Sequence, residues 1–341
     1  MIAELNGRRL VHVKEQDGRQ RISIHRLLQE KILQDLKIEK LTDVFGKAYC
    51  LVRKRFPPAS PIQVPEPDKG PACKEYIPHV LSLRRAFNEI TGLEPSFNLA
   101  QLFYDAGFHV WERQTAPDEG ILYLETAEMI LNRLNYDSNA KIRADIHTVI
   151  AMLYSIIGIR FGTQNLQRRR DALTIRRKVH ELHPEDLESD VLLTNAASDL
   201  GYYLFETWDY EEADKIYQDC YKKYCEWGTE NDLPFEYSKH CYNNARLCMH
   251  RGSYSEAINL FRKGMELSER ALGKTWFYWD LQFALACTML QSGEAQSALE
   301  IHLKGFSEQE KALGKYDSAT MMSNYAVGAV YHHLGNLSAA A

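Results

Sequence analysis

The feature that most constrains the fold is a period of about 42 residues in the C-terminal part of the chain. Aligning Gly201, Ala245, Ala286 and Gly328 gives separations of 44, 41 and 42 residues. Twelve residues after each stands an alanine: Ala213, Ala257, Ala298 and Ala340. Between the two members lies a turn, written Trp208-Asp209-Tyr210, Gly252-Ser253-Tyr254, Gly293-Glu294-Ala295 and Gly335-Asn336-Leu337. The unit reads as helix, tight turn, helix. Small residues at both marked positions are what closely paired helices require, because a larger side chain would push the backbones apart. The tetrapeptide Ala271-Leu272-Gly273-Lys274 recurs as Ala312-Leu313-Gly314-Lys315, 41 residues later, and places a glycine where a helix would end. Two weaker units precede these, one over 96–135 (Leu102, Gly107, Ala127) and one over 140–183 (Ala151, an enlarged turn, Ala172). That makes six units, the last breaking off at Ala341 as its second helix begins. A single helix pair cannot bury its apolar face, so such units stack into a solenoid.

These residues resemble the tetratricopeptide repeat in its longer, kinesin-light-chain-like form, over roughly residues 96–341. Gly252-Ser253-Tyr254-Ser255-Glu256-Ala257 meets that family's pattern of a turn glycine, an aromatic and a small residue. Asn243-Asn244-Ala245 matches its first-helix core, Tyr217 and Phe261 fit its second-helix aromatic, and Trp208 stands where one unit lacks the turn glycine. The resemblance implies an all-α superhelix whose concave wall is made by the first helix of each pair, and a partner bound along that wall. Projecting the repeat onto the sequence puts Asn195, Tyr202 and Glu206 there, then Lys239, Asn243, Arg246 and His250, then Asp280 and Gln291, and finally Tyr325 and His332. Lys239 and Asn243, at i and i+4, share a helix face. In related domains Lys and Asn at similar positions hold a peptide's carboxylates and backbone. The neighbouring unit has no matching pair, so a carboxylate clamp is not implied, and for any single wall residue a solvated groove without ligand is the competing reading.

The N-terminal segment differs. Leu10-Val11-His12-Val13 and Arg21-Ile22-Ser23-Ile24 alternate around Asp17-Gly18, a β-hairpin pattern. An amphipathic helix is expected from about His25 to Leu41, with Leu27, Leu28, Ile32, Leu36 and Ile38 on its apolar side. Then FPPASPIQVPEPDKGP, residues 56–71, carries six prolines in sixteen residues, which predicts an extended linker or surface loop. The chain thus divides into a segment over 1–45, a linker over 46–76 and the helical array over 77–341.

Leu10-Val11-His12-Val13 with Ile22-Ser23-Ile24-His25-Arg26-Leu27-Leu28-Gln29 resembles the wing and last helix of the winged-helix domain of fungal STAND NTPases, the NB-ARC and NACHT receptors of the NOD-like class. Tyr76-Ile77-Pro78-His79-Val80-Leu81-Ser82-Leu83 and Gly107-Phe108-His109-Val110-Trp111-Glu112-Arg113 resemble their connector and first repeat. The resemblance implies that the chain is the downstream sensor arm of a larger receptor, with ADP or ATP held only by an upstream NTPase module that the arm contacts. It also implies nucleotide sensing by His25: there a His within a Met-His-Asp-like motif opens the final helix of the winged-helix domain, and here the matching triplet is Ile24-His25-Arg26. The alternative is a free-standing adaptor that bridges proteins.

With 41 basic and 46 acidic residues the net charge is −5. A chain so balanced lacks the basic surface that nucleic acid or an anionic membrane requires. Seven cysteines without a C-x-x-C pair fit free thiols in a reducing cytoplasm, and no run of 18 apolar residues occurs. Catalysis finds no footing. Ser268 to Thr275 ends in Gly-Lys-Thr but opens on Ser and follows a helix, unlike a phosphate loop. There is no Gly-x-Ser-x-Gly elbow. The best metal-like cluster, His180, Glu181, His183, Glu185 and Asp186, reads as a solvated helix terminus, and Cys241 with Cys248, seven apart, as core. The Cys73/His79 spacing and the His332-His333 pair do not make a site either. The run Arg168-Arg169-Arg170 with Arg176-Arg177-Lys178 is expected on a solvated second-helix face, or as a basic patch for an acidic ligand. The expectation is therefore a non-catalytic chain with no cofactor or metal of its own and a protein or peptide partner.

Overall fold

The computed structural model describes residues 11–340 apart from 17–18, 26–27, 29–30, 33–34, 138–139 and 159–161. Strands β1 (Val11–Gln16) and β2 (Arg19–Ile24) pair antiparallel, Val11 opposite Ile24 and Gln16 opposite Arg19. Val11 is buried while Ile22 and Ile24 are exposed. Leu10, the expected turn Asp17-Gly18, Arg26, Leu27 and Ala341 lie outside the described residues.

Helix α1 (Ile38–Arg55) begins where Lys37 takes an extended conformation. The helix expected to close near Leu41 is therefore replaced at Ile38 by a new one, which crosses residue 45. Its apolar residues, Phe45, Val52 and the following Phe56, need a partner and find it in α2 (Gly70–Glu89), where the Phe45 and Phe87 rings lie 6.4 Å apart. Helix α2 begins inside the stretch expected as linker.

Six helix pairs follow: α3/α4 (Phe97–Arg113, Pro117–Arg133), α5/α6 (Lys141–Ile157, Gly162–Leu182), α7/α8 (Leu187–Glu206, Tyr210–Trp227), α9/α10 (Pro234–His250, Tyr254–Leu272), α11/α12 (Trp276–Gln291, Ala295–Leu313) and α13/α14 (Ser318–His333, Leu337–Ala340). Helix α10 shows why the sequence makes them. Ala257, Ile258, Phe261, Gly264 and Leu267 recur at helical spacing and are all buried, so one stripe faces the stack. Phe261 has no exposed surface, and truncating it to alanine would cost about 3–5 kcal/mol.

The repeated small residues sit where paired helices cross. A β-carbon added at Gly201 would lie 2.8 Å from the Tyr217 ring, and Ala213, Ala245, Ala257, Ala286 and Ala298 have no exposed surface. The turns between partners use left-handed backbone, φ 76° at Gly252, 93° at Gly293 and 77° at Gly335. Trp208 holds the same place with φ 70°.

The enlarged turn expected in the 140–183 unit falls between Ile157 and Gly162, largely outside the described residues, and α6 itself runs to 21 residues. The proline-rich stretch is no surface loop. Residues 56–69 form a strap between α1 and α2, with a turn in which Gln63 N–H donates to the Ser60 carbonyl and a short 3-10 turn at Pro67–Lys69 leading into α2. It lies against α3 and α5, with Phe56, Ser60 and Pro65 buried and Val64 packed on the Phe235/Phe277 cluster of α9 and α11. Proline lacks a backbone donor, so a strap rich in it buries few unsatisfied groups.

Candidate functional site

The first helices of successive pairs line one wall. On α7, α9 and α11 the wall carries a connected set of side chains. Lys239 Nζ donates to Asn195 Oδ1 at 2.7 Å, bridging α9 to α7, and lies 5.0 Å from the centre of the Phe235 ring. Asp199, on the same face of α7 as Asn195, is surrounded by protein, and burial raises its carboxyl pKa against the pull of Arg169 and Lys239.

Two turns along α9, Arg246 forms an ion pair with Glu206 and stands over three rings: Phe205 at 4.1 Å, Tyr202 at 4.8 Å and Tyr242 at 5.5 Å. Tyr202 and Tyr242 are themselves nearly parallel at 15°. An aromatic cage of this kind holds a guanidinium in one orientation. Asp280 on α11 keeps its carboxyl open to the groove. The surrounding groove walls nonetheless strip part of its hydration, and this pushes the carboxyl up to about 7, with Arg246 pulling it part of the way back.

Of the wall residues expected from sequence, Asn195 and Lys239 touch, and Tyr202 and Arg246 touch, with Asp280 in electrostatic reach of Arg246. Asn243 is buried, and Tyr325 on α13 is 81% exposed. His25, following β2, is exposed. Phe205 and Tyr242 complete the cage and were missed, since each stands one residue off the projected stripe; two further aromatics beside Tyr202 and Asn243 were the signal available.

The wall of the first two pairs is different in kind. Asp105 on α3 accepts from Arg53 Nη1 at 2.5 Å, from the Ala59 backbone N–H at 3.1 Å and from Gln101 Nε2 at 3.1 Å. Burial raises its carboxyl pKa against those donors. Glu112, two turns on along the same face, accepts the Glu66 N–H at 2.5 Å, and burial pushes it up to about 7. His109 beside it is lowered to about 4 by burial and by Arg113. These groups hold the strap.

The basic run is divided between the two faces of its helix: Arg168, Arg169 and Arg176 turn inward, and Arg170, Arg177 and Lys178 stay on the expected solvated side. Arg168 makes a two-pronged pair with Glu128 at 2.6 and 2.9 Å. Arg169 bonds Asn165, Ser155 and the Asp199 carbonyl, and Arg176 pairs with Asp145, both fully inside. Arg170, Arg177 and Lys178 are exposed. Their helix thus sends three cations inward, to Glu128 on α4, to α5 and to α7.

Gly273 and Gly314 end α10 and α12 with φ 70° and 96°, so Gly-Lys-Thr is a helix stop. Asp186 caps α7 by accepting from Glu188 N and Ser189 N, while His180 bonds Ser189. Cys241 and Cys248 are buried in the core. No group of three His, Cys, Asp or Glu residues placed to hold a metal occurs among the described residues. Nor is any described helix long and apolar enough to cross a membrane.

Residues 193–226 and 241–275 each match the family model for the tetratricopeptide repeat. No curated protein matches the chain. Among solved structures, the fold is similar to NprR in complex with its cognate peptide NprX, with a TM-score of 0.60 at 15% identity, over 92% of this chain and 80% of that one. The apo form of the quorum sensor NprR from B. thuringiensis gives a TM-score of 0.52 at 14% identity, over 92% and 88%. The Rap conjugation gene regulator of plasmid pLS20 in complex with the Phr* peptide gives 0.50 at 16%, over 79% and 66%. At such identities the likeness is one of fold: the chain is an all-α tetratricopeptide-type solenoid with a small N-terminal hairpin.

Proposed function

We propose that the chain is a non-catalytic scaffold that binds a peptide or protein segment along the first-helix wall of α7, α9 and α11. The observation that carries this reading is the juxtaposition of Lys239–Asn195, the caged Arg246 and the groove-facing Asp280. Together they offer a backbone-binding amide, cations held in fixed orientation, aromatic faces and a carboxyl, which are the groups that grip an extended chain. The fold likeness to NprR and to the Rap regulator supports it, since NprR is there in complex with the peptide NprX and the Rap regulator with Phr*. Asn195, Tyr202, Lys239, Asn243, Arg246, Asp280 and Tyr325 are the residues assigned to the surface, Asn243 from behind and Tyr325 at the far end.

The finer reading makes this scaffold the cytoplasmic sensor arm of a fungal STAND-type signalling NTPase, regulating a nucleotide switch held by an upstream module that binds ADP or ATP and contacts the arm. The β1–β2 hairpin followed by His25 supports it, in the order of a winged-helix wing and its nucleotide-sensing histidine. A free-standing adaptor bridging proteins is the second reading, and the well-formed pairs α7 to α12 support it, since they need no upstream partner to make the wall.

Selection from a random peptide display library tests the binding claim. Lys239→Ala and Asp280→Asn variants that stay folded at the assay temperature should lose the peptides the parent selects; retention of the same set would sink the assignment. Transcript mapping separates the two finer readings: a Walker A loop encoded in frame upstream of Met1 supports the sensor arm, and a transcript beginning at Met1 removes it.

A further inference from the structure

We propose that the first-helix wall of the first two pairs is a second binding site, built for a proline-bearing segment with one tight turn, and that residues 57–66 of the chain are its resident occupant. It meets the α7–α11 wall only where Val64 packs on Phe235 and Phe277, and its test does not depend on a ligand at that wall.

A connection between two neighbouring antiparallel helices needs only about 2–8 residues. The segment between α1 and α2 uses fourteen, 56–69, and takes the long way along the wall. Its main chain is bound the way a ligand's is, by side chains of other elements. Ala59 N–H donates to Asp105, and Glu66 N–H, seven residues on, donates to Glu112. The Pro61 carbonyl accepts from Lys141 Nζ at 2.8 Å. Gln63 Nε2 reaches both the Tyr104 hydroxyl and the Asp145 carbonyl at 3.3 Å. Ser60 and Pro65 are buried, and Val64 plugs the apolar cluster formed with Phe235 and Phe277.

The receiving side is shaped for this. Asp105 is 2% exposed, and a carboxylate so enclosed is tolerated only where donors reach it. The occupant supplies main-chain donors at the two positions where the wall offers carboxylates. Prolines 57, 58, 61 and 65 carry no N–H, so the rest of the strap leaves few donors unmet, and their fixed φ lowers the entropy lost on seating. The ligand class is therefore a short proline-bearing peptide with a free N–H pair spaced as Ala59 and Glu66.

The test uses a fluorescein-labelled peptide of residues 57–66 and the full chain, read by anisotropy. The parent chain should show no saturable binding, because its own strap fills the site. A variant with 57–66 replaced by a Gly/Ser linker of equal length should bind saturably, and adding Asp105→Asn and Glu112→Gln to it should weaken binding at least tenfold. A folded linker variant that ignores the peptide, or a parent that binds it equally well, overturns the proposal. Should the linker variant fail to fold, hydrogen exchange on the unaltered chain decides. Protection of the Ala59 and Glu66 amides by a hundredfold or more over an unstructured peptide supports the seated strap, and exchange at the free-peptide rate refutes it.

Discussion

The indole rings of Trp111 and Trp276 meet edge to face with their centres 5.7 Å apart. This joins the first helix of pair one to the first helix of pair five across the inside of the stack. In an ideal solenoid each repeat touches only its neighbours. Here the stack curls far enough that distant pairs share a contact, with Val64 of the strap packed beside it. Trp276→Ala should cost about 2–3 kcal/mol, below the range for a fully buried Trp because part of the ring is exposed. Hydrogen exchange should quicken in α3 as well as in α11. Faster exchange confined to α11 would show that the contact carries no coupling.

Arg176 and Asp145 form a buried pair across α6 and α5. Removing one partner leaves an uncompensated charge inside the stack, and Asp145→Ala should lower unfolding stability by about 3–5 kcal/mol. The double variant Asp145→Leu with Arg176→Met should recover most of that loss. Denaturant titration of the three proteins checks it; equal losses in single and double variants would contradict the account.

Trp208 is 80% exposed and sits at φ 70°, where three other pairs have glycine. A side chain in the left-handed region costs about 1 kcal/mol, and little packing offsets it. Trp208→Gly should raise the melting temperature by a few degrees, and Trp208→Ala should not match it.

Asp280 supplies a pH test. Its folded-state pKa of about 7 lies above the ordinary 3.8, so folding favours the protonated carboxyl. The stability it contributes is fully present below pH 3.8 and is lost as pH rises through 7. Asp280→Asn removes that loss. The variant and parent should melt together near pH 4, and the variant should melt higher at pH 8. A gap that is the same at both pH values would mean the carboxyl is not held high.

The helix pairs could be read from the chain because their signals are local: small residues at a fixed period, turn glycines and helix stops lie within one unit. Trp208 was legible as a departure from that period. The strap was not. Proline content says that residues 56–71 make no helix of their own, and nothing nearby says that Asp105, Glu112 and Lys141 will hold them. The inward half of the basic run was hidden for the same reason. Arg168 and Arg176 look solvated beside their sequence neighbours, and their partners Glu128 and Asp145 stand 40 and 31 residues upstream. On the α7–α11 wall the stripe found Lys239 and Arg246, but it could not show that Tyr242 and Phe205 turn toward the guanidinium.

The central claim, that a peptide lies along the first-helix wall of α7, α9 and α11, is tested most directly by hydrogen exchange of the chain with and without a peptide taken from a display selection. The account predicts added protection concentrated around Asn195–Glu206, Lys239–Arg246 and Asp280, with α8, α10 and α12 unchanged. Protection confined to those second helices, or none at saturating peptide, would contradict it.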